Sequence, residues 1–285
     1  MPALYKRELE LVLAHPLNGS FTRTSTISVV KISGLRVTFR VEKTLNAEPN
    51  TAEVEVYNLN ERSRGEFQER PIAVRLYAGH NGTPKQIFSG DIFYATSKRD
   101  APHWITSFQA GDGQRAIRQA RTNKSYRAGL KAREALREIL NSMGFNTPSN
   151  TLLFRELDTE FANGLVLEGP SRTELTKLLN KVGLTWSIQD GQIQILRRTG
   201  ALVERAVELN QSTGMIGSPE FNTPQREGAP ATVTVQSLLY PELAPGRLVI
   251  LTSLTANGQF RIDRVVHNGD THGSEWTTEV EMTPL

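Results

Sequence analysis

The chain has 285 residues, 33 basic against 30 acidic side chains for a net charge of +3, and no cysteine. That length supports two or three domains with cores of their own, and the near balance of charge gives no electrostatic case for nucleic acid as the main ligand. Without cysteine there are no disulfides and no thiolate chemistry, which fits a reducing cytoplasm. With no apolar run of membrane-spanning length and no signal-peptide layout at the N-terminus, the expectation is a soluble protein without stable membrane insertion.

In chain order, Leu35, Val37, Phe39 and Val41 alternate with Arg36, Thr38, Arg40 and Glu42, the period of a strand with one buried face. Ala52, Val54 and Val56 repeat the pattern, and Ile72, Val74 and Leu76 supply the next strand. Tyr77 to Gly82 offers the turn residues for a tight reversal, and Gly111-Asp112-Gly113 reads as the turn closing a first β-module. Leu136, Ile139, Leu140 and Met143 then recur at helical spacing, with Gly144 as the stop. Ser171 with Glu174 is a capping box opening a second helix, whose stripe is Leu175, Leu178 and Leu179 before Gly183. Thr185 to Gln189 and Gln192 to Leu196 form a hairpin around Asp190-Gly191. From residue 201 the alternation returns, in Ala231, Val233 and Val235 and then in Leu248 and Ile250. Three regions follow: a β-rich 1–114, an α+β 115–200 and a β-rich 201–285.

The outer regions look like two copies of one unit. Phe88, Asp91, Trp104 and Thr106 recur 172 positions later as Phe260, Asp263, Trp276 and Thr278, without a gap. The upstream strands are offset by 179 and then 176 positions, as shorter loops in the second copy would produce. The fold expected is mainly β, with two similar barrel-like domains related by internal duplication and flanking a smaller α+β domain.

Catalytic patterns are sparse. The sequence has no Gly-x-Ser-x-Gly elbow, phosphate loop, His-Glu-x-x-His helix or cysteine pair. His267, Asp270 and His272 have a ligand-like spacing, but Asn268-Gly269-Asp270 reads more simply as a hairpin turn between Val265 and Trp276, so no metal is expected. Glu279 with Glu281 and Asp158 with Glu160 read as solvated faces rather than a hydrolytic pair. Asp91 and Asp263 suit a repeated structural hydrogen bond or subunit contact better than a duplicated active site. Phe88, Trp104, Phe260 and Trp276 read as inward strand residues filling a barrel or an interface. No enzyme and no cofactor are expected. Arg115, Arg118, Arg121, Lys124 and Arg127, spaced by three, are either a solvated linker or a basic rail docking the acidic face of a protein partner.

Taken together, Pro49 to Asn60, Tyr77 to Gly82, Ile87 to Ile92, Ala110 to Gly113, Gly214 to Pro219, Ser237 to Gly246 and His267 to Asp270 with Trp276 resemble the phage baseplate hub proteins, which share the plan of the N-terminal half of type VI secretion spikes. The resemblance runs in order over nearly the whole chain. It implies a structural virion protein of the tail baseplate, assembled in the host cytoplasm. It also implies a homotrimer whose six β-modules match a sixfold tail tube on one side and a threefold central spike on the other. The implied partners are the tube or tube-initiator protein, the spike, and other baseplate and tape-measure proteins, with DNA only in non-specific transit. Because the chain ends at Leu285, the spike is expected to be a separate polypeptide. The alternatives are a tail-associated cell-wall hydrolase and a carbohydrate-binding β-protein.

Overall fold

The computed structural model describes residues 6–16, 26–67, 72–202, 204–223 and 230–285. Strands β1 (Arg7–Pro16), β2 (Thr26–Ile32), β3 (Val37–Thr44) and β4 (Thr51–Tyr57) lead through the short helix α1 (Glu61–Glu66) to β5 (Ala73–His80), β6 (Lys85–Asp100) and β7 (His103–Gly111). The middle of the chain holds α2 (Gln114–Gln119), β8 (Arg121–Tyr126), β9 (Leu130–Lys131), α3 (Ala132–Ser142), β10 (Glu160–Phe161), β11 (Leu165–Pro170), α4 (Ser171–Lys181), β12 (Leu184–Gln189) and β13 (Gln192–Arg197). Then come β14 (Val207–Leu209), β15 (Met215–Asn222), β16 (Thr232–Leu238), β17 (Leu248–Thr252), β18 (Asn257–Asp270) and β19 (Trp276–Pro284).

The protein is mostly β, and among the described residues thirteen strands share one sheet, ordered β15-β16-β19-β18-β3-β4-β7-β6-β5-β1-β2, with β17 and β14 branching from β18. All of its pairings are antiparallel except β14 with β17. The run β3-β4-β7-β6-β5 and the run β15-β16-β19-β18-β17 follow one strand order, and they meet where β18 pairs with β3 from Arg264↔Thr44 to Asp270↔Thr38. Each run carries a bulge at the same place in its long hairpin. Ile92 opposes Ala110 and Tyr94 opposes Gln109, just as Ile262 opposes Met282 and Arg264 opposes Glu281. The extra residue twists the hairpin.

Buried apolar side chains gather in three clusters. One is built on Val41, Val54, Leu76, Phe88 and Phe108, a second on Leu136, Leu140, Leu175, Leu179 and Trp186, and a third on Val235, Val249, Ile262 and Val280. Trp276 crosses between them: it starts β19 in the second run, yet it packs in the cluster of the first. Its ring meets Phe39 edge-on at a centroid distance of 5.5 Å. Between them on β18 sits Gly269, paired with Phe39 on one side and Trp276 on the other. A Cβ there would lie 2.4 Å from the Phe39 ring and 2.8 Å from Trp276, so only glycine lets both aromatics close over the seam.

Several expectations are met residue for residue. The stripe Leu136, Ile139 and Leu140 is buried on α3, and Gly144 follows at φ 77. Asp190 and Gly191 both take positive φ, as a two-residue hairpin turn of this twist requires. Others are corrected. The capping box at Ser171 does not form: Pro170 is the N-cap of α4, and the buried Ser171 hydroxyl bonds instead to Thr122 and Ser142 at 2.8 Å each. In β17 the inward pair is Val249 and Leu251 rather than Leu248 and Ile250, because a slip of one residue turns a strand over. The turn expected at Asn268-Gly269-Asp270 comes later, since β18 runs through Asp270 and reverses over 271–275. None of the helices among the described residues is long and apolar enough to cross a membrane.

The seam lock is testable by denaturant unfolding. Gly269→Ala should destabilise by about 1–3 kcal/mol through overpacking, and Trp276→Ala by roughly 3–5 kcal/mol through the cavity it leaves. Changes below about 0.5 kcal/mol in both variants would show that the seam bears little of the stability.

Candidate functional site

Strand alternation that buries one face of the fused sheet turns the other to solvent as a polar wall crossing both runs. Gln109 of β7, Glu53 of β4, Arg40 of β3, Asn268 of β18 and Thr277 of β19 are consecutive cross-strand neighbours. Gln109 donates to Glu53 at 3.2 Å and Arg40 to Asn268 at 3.4 Å. A second row runs Ser107, Glu55, Thr38 and Asp270, and a third Thr51, Glu42, Val266, Glu279 and Gln236, in which Val266 alone is apolar and is buried. Arg264 bridges rows and strands, donating to Glu42 at 2.7 Å and lying 3.5 Å from Glu279. That hydrogen bond holds the Glu42 carboxyl below its ordinary value. The wall is not apolar, so it need not be covered. Its carboxylates outnumber its guanidiniums, so it does not attract phosphate.

Among the described residues the sheet ends in open edges. There β15 pairs only with β16 and breaks register between Ile216 and Glu220, and Phe221 is 63% exposed. At the far end lies β2, paired among the described residues only with β1. Such edges offer unpaired backbone groups to another strand.

The candidate residues fall in different settings. Phe88, Phe260 and Trp276 are buried. Trp104 is not the inward residue expected: it is 37% exposed on the hairpin end that overhangs the sheet, and the Arg64 guanidinium stacks on its ring at 4.2 Å. Asp91 and Asp263 are half-buried. Asp263 accepts from Arg261 at 2.7 Å and from the Thr283 hydroxyl, a structural pairing. At the bulge Asp263 stands opposite the place of Phe93 rather than Asp91, since Ile92 and Ile262 are the matched neighbours.

The basic rail does not form one stripe. Arg118 lies on α2, Arg121 and Lys124 lie three apart on β8 and so on opposite faces, and Arg127 lies beyond the strand. Lys124 is also paired with Glu138. The side chain of Arg115 lies outside the described residues.

His267, Asp270 and His272 do not converge. His267 is buried, its Nδ1 2.8 Å from Thr278 Oγ1, while Asp270 pairs with Arg36 at 2.8 Å and the His272 ring bonds Thr271. Among the described residues no cluster of three or more His, Cys, Asp or Glu could hold a metal. Glu279 and Glu281 lie on the polar wall, and Asp158 pairs with Arg133.

A buried polar junction joins β3 to the β12–β13 turn without any sequence motif to announce it. Lys43, only 4% exposed along its side chain, ends the inward face of β3 and reaches Asp190 in the β12–β13 turn at 2.7 Å. Asp112 accepts from the Gly191 amide at 2.8 Å. Asn50 donates to the Ile188 carbonyl at 2.7 Å and to Gln189 at 3.0 Å. A cavity of about 1840 Å³ opens beside it, lined by Arg75, Asp91, Asp112, Asn150, Asp190 and Gln194 among others. The only signals in the sequence were a lysine at a core-facing strand position and an acid between two glycines.

Compared with known proteins, the sequence matches no family model and no curated protein. Solved structures do match. The 43 kDa tail protein of prophage MuSo2 from Shewanella oneidensis superposes with a TM-score of 0.65 at 10% identity, over 97% of this chain and 98% of its own. A tail protein from Neisseria meningitidis MC58 gives 0.63 at 10%, over 98% and 97%. The E. coli c3393 protein, a component of the type VI secretion system, gives 0.59 at 14%, over 88% and 73%.

Burial at the seam yields a pH prediction. Desolvation, with the Lys43 charge nearby, pushes the His267 imidazole down to about 3. The unfolded chain therefore takes up a proton that the native state refuses, so this contribution is complete above about pH 6.5 and is lost as pH falls toward 3. In urea unfolding, His267→Gln should gain stability relative to the wild-type protein as pH falls from 7 to 5. A difference between the two that does not change with pH would contradict the buried neutral imidazole. By shape, then, this chain has the fold of phage tail proteins and of a type VI secretion component.

Proposed function

We propose that the chain is a trimeric tail hub of the virion baseplate, an adaptor between a sixfold tail tube and a threefold central spike, with no catalytic role. Residues 1–114 and 201–285 are its two barrel-like modules, related by duplication, and 115–200 is an α+β insertion. The observation that carries this reading is the fused sheet: two strand runs of one order, joined edge to edge at β18–β3, present a continuous polar wall.

Three such chains supply six near-equivalent runs, enough to meet a sixfold partner, while whatever differs between the runs keeps true threefold symmetry for a trimeric one. The open edges at β15 and β2 suit strand pairing between neighbouring subunits. In the ring, the polar wall faces the bore. Glutamates 53, 55, 279 and 281 on it discourage a phosphate backbone from lingering, so DNA passes without sequence readout. Tube or tube-initiator protein, spike, and other baseplate and tape-measure proteins are the partners, and assembly takes place in the host cytoplasm. The neighbours of known structure, tail proteins matched over nearly their whole length, support a structural role.

Light scattering coupled to size exclusion tests the assembly. The purified chain, alone or mixed with tube protein, should run at three times its own mass. A monomer in both conditions, at every concentration tried, would overturn the trimeric reading.

A further inference from the structure

We propose that Asp112 is a proton-operated latch between the first strand run and the β12–β13 hairpin, closed while its carboxyl is protonated and weakened when it is ionised beside Asp190.

The geometry makes the case. Asp112 is 1% exposed and holds the hairpin turn through the Gly191 amide, while Asp190 reaches back to Lys43 on β3. Two carboxylates thus lie near one cation, and only Asp190 reaches it. Asp112 Oδ2 and Asp190 Oδ1 are both buried without a hydrogen-bond partner among the described residues. A buried acceptor left unpaired is costly, and a second buried negative charge is costlier. A proton on Asp112 removes one of the two charges.

The charged groups around the pair include Lys43 and His267 and, across the cavity whose wall both acids join, Arg75, Asp91 and Arg197. From β3 comes Lys43, already paired; from the hairpin, Asp190 and the backbone amides of residues 190 and 191; from β18, His267, buried and neutral beside Lys43. The hairpin cannot shift to let water in without breaking other contacts. Asn50 clamps Ile188 and Gln189, and a Cβ on Gly113 would lie 2.4 Å from Ile188. Burial first, and the Asp190 charge second, raise the Asp112 carboxyl to about 7. For an acid raised in the native state, the stabilisation is complete below its unfolded value near 4, is lost as pH rises, and is gone above about 7. The latch therefore works against His267: acid tightens it, whereas acid loosens the seam.

Amide hydrogen exchange of the 184–197 hairpin, expressed as protection corrected for the intrinsic pH dependence, tests this between pH 5 and pH 8.5. Wild-type protection should fall by up to about tenfold per pH unit toward pH 7 and level off above it. Asp112→Asn, a neutral isostere, should hold protection flat and high. Flat wild-type protection, or the same fall in Asp112→Asn, overturns the proposal. If that variant does not fold, the carbon-13 shift of the Asp112 carboxyl in the wild-type protein decides: titration near 7 supports the latch, and titration near 4 overturns it.

Discussion

The pairing of β18 with β3 is the constraint on which the rest of the molecule depends. Without it there are two small sheets, each with one more exposed edge; with it there is one wall. Seven residues of each strand make the ladder, but a ladder alone would allow slippage. Register is held by side chains: Phe39 and Trp276 close over Gly269, and on the opposite face Arg264 ties β18 to Glu42 of β3. An aromatic pair filling the space above a glycine admits one alignment, since a shift by one residue would put Asn268 or Asp270 under the rings.

The seam also explains why burial and polarity are distributed as they are. A sheet packed on one face alternates strictly, and here the alternation stays in phase across the junction, so the inward set of one run and that of the other belong to a single surface. Trp276 ties the two together, because a residue of the second run's hairpin is buried in the first run's core. The α+β region is attached differently. It has a core of its own, and it meets the first run largely through hydrogen bonds at Asn50 and Asp112 and the ion pairs Lys43–Asp190 and Arg172–Glu48. Proton linkage arises at both places and with opposite sign, from the buried His267 imidazole at the seam and from the Asp112 carboxyl at the junction.

Much of this was legible in the sequence where the cause is local. The Asp190-Gly191 turn and the Leu136, Ile139, Leu140 stripe with its glycine stop are set by residues within a few positions of one another, and they appear where expected. What was not legible depends on distant partners. Ser171 looks like a helix cap, but two hydroxyls remote in sequence claim it. Trp104 and Trp276 share a spacing, yet only one has a neighbouring run to receive it. A rhythm of three in the arginines implies a stripe only if one helix carries them all, and here the chain changes element twice. Lys43 sits in a run of core positions with nothing nearby to neutralise it, and its partner lies 147 residues away.

In the proposed hub, the polar wall, continuous through the seam, lines a shared channel. Electron cryomicroscopy of the purified assembly examines that claim most directly. The expected image is a threefold ring of six strand runs, with the face bearing Glu53, Arg40, Asn268 and Glu279 turned toward a central opening. A particle in which that face points outward, or lies buried against another subunit, would contradict it.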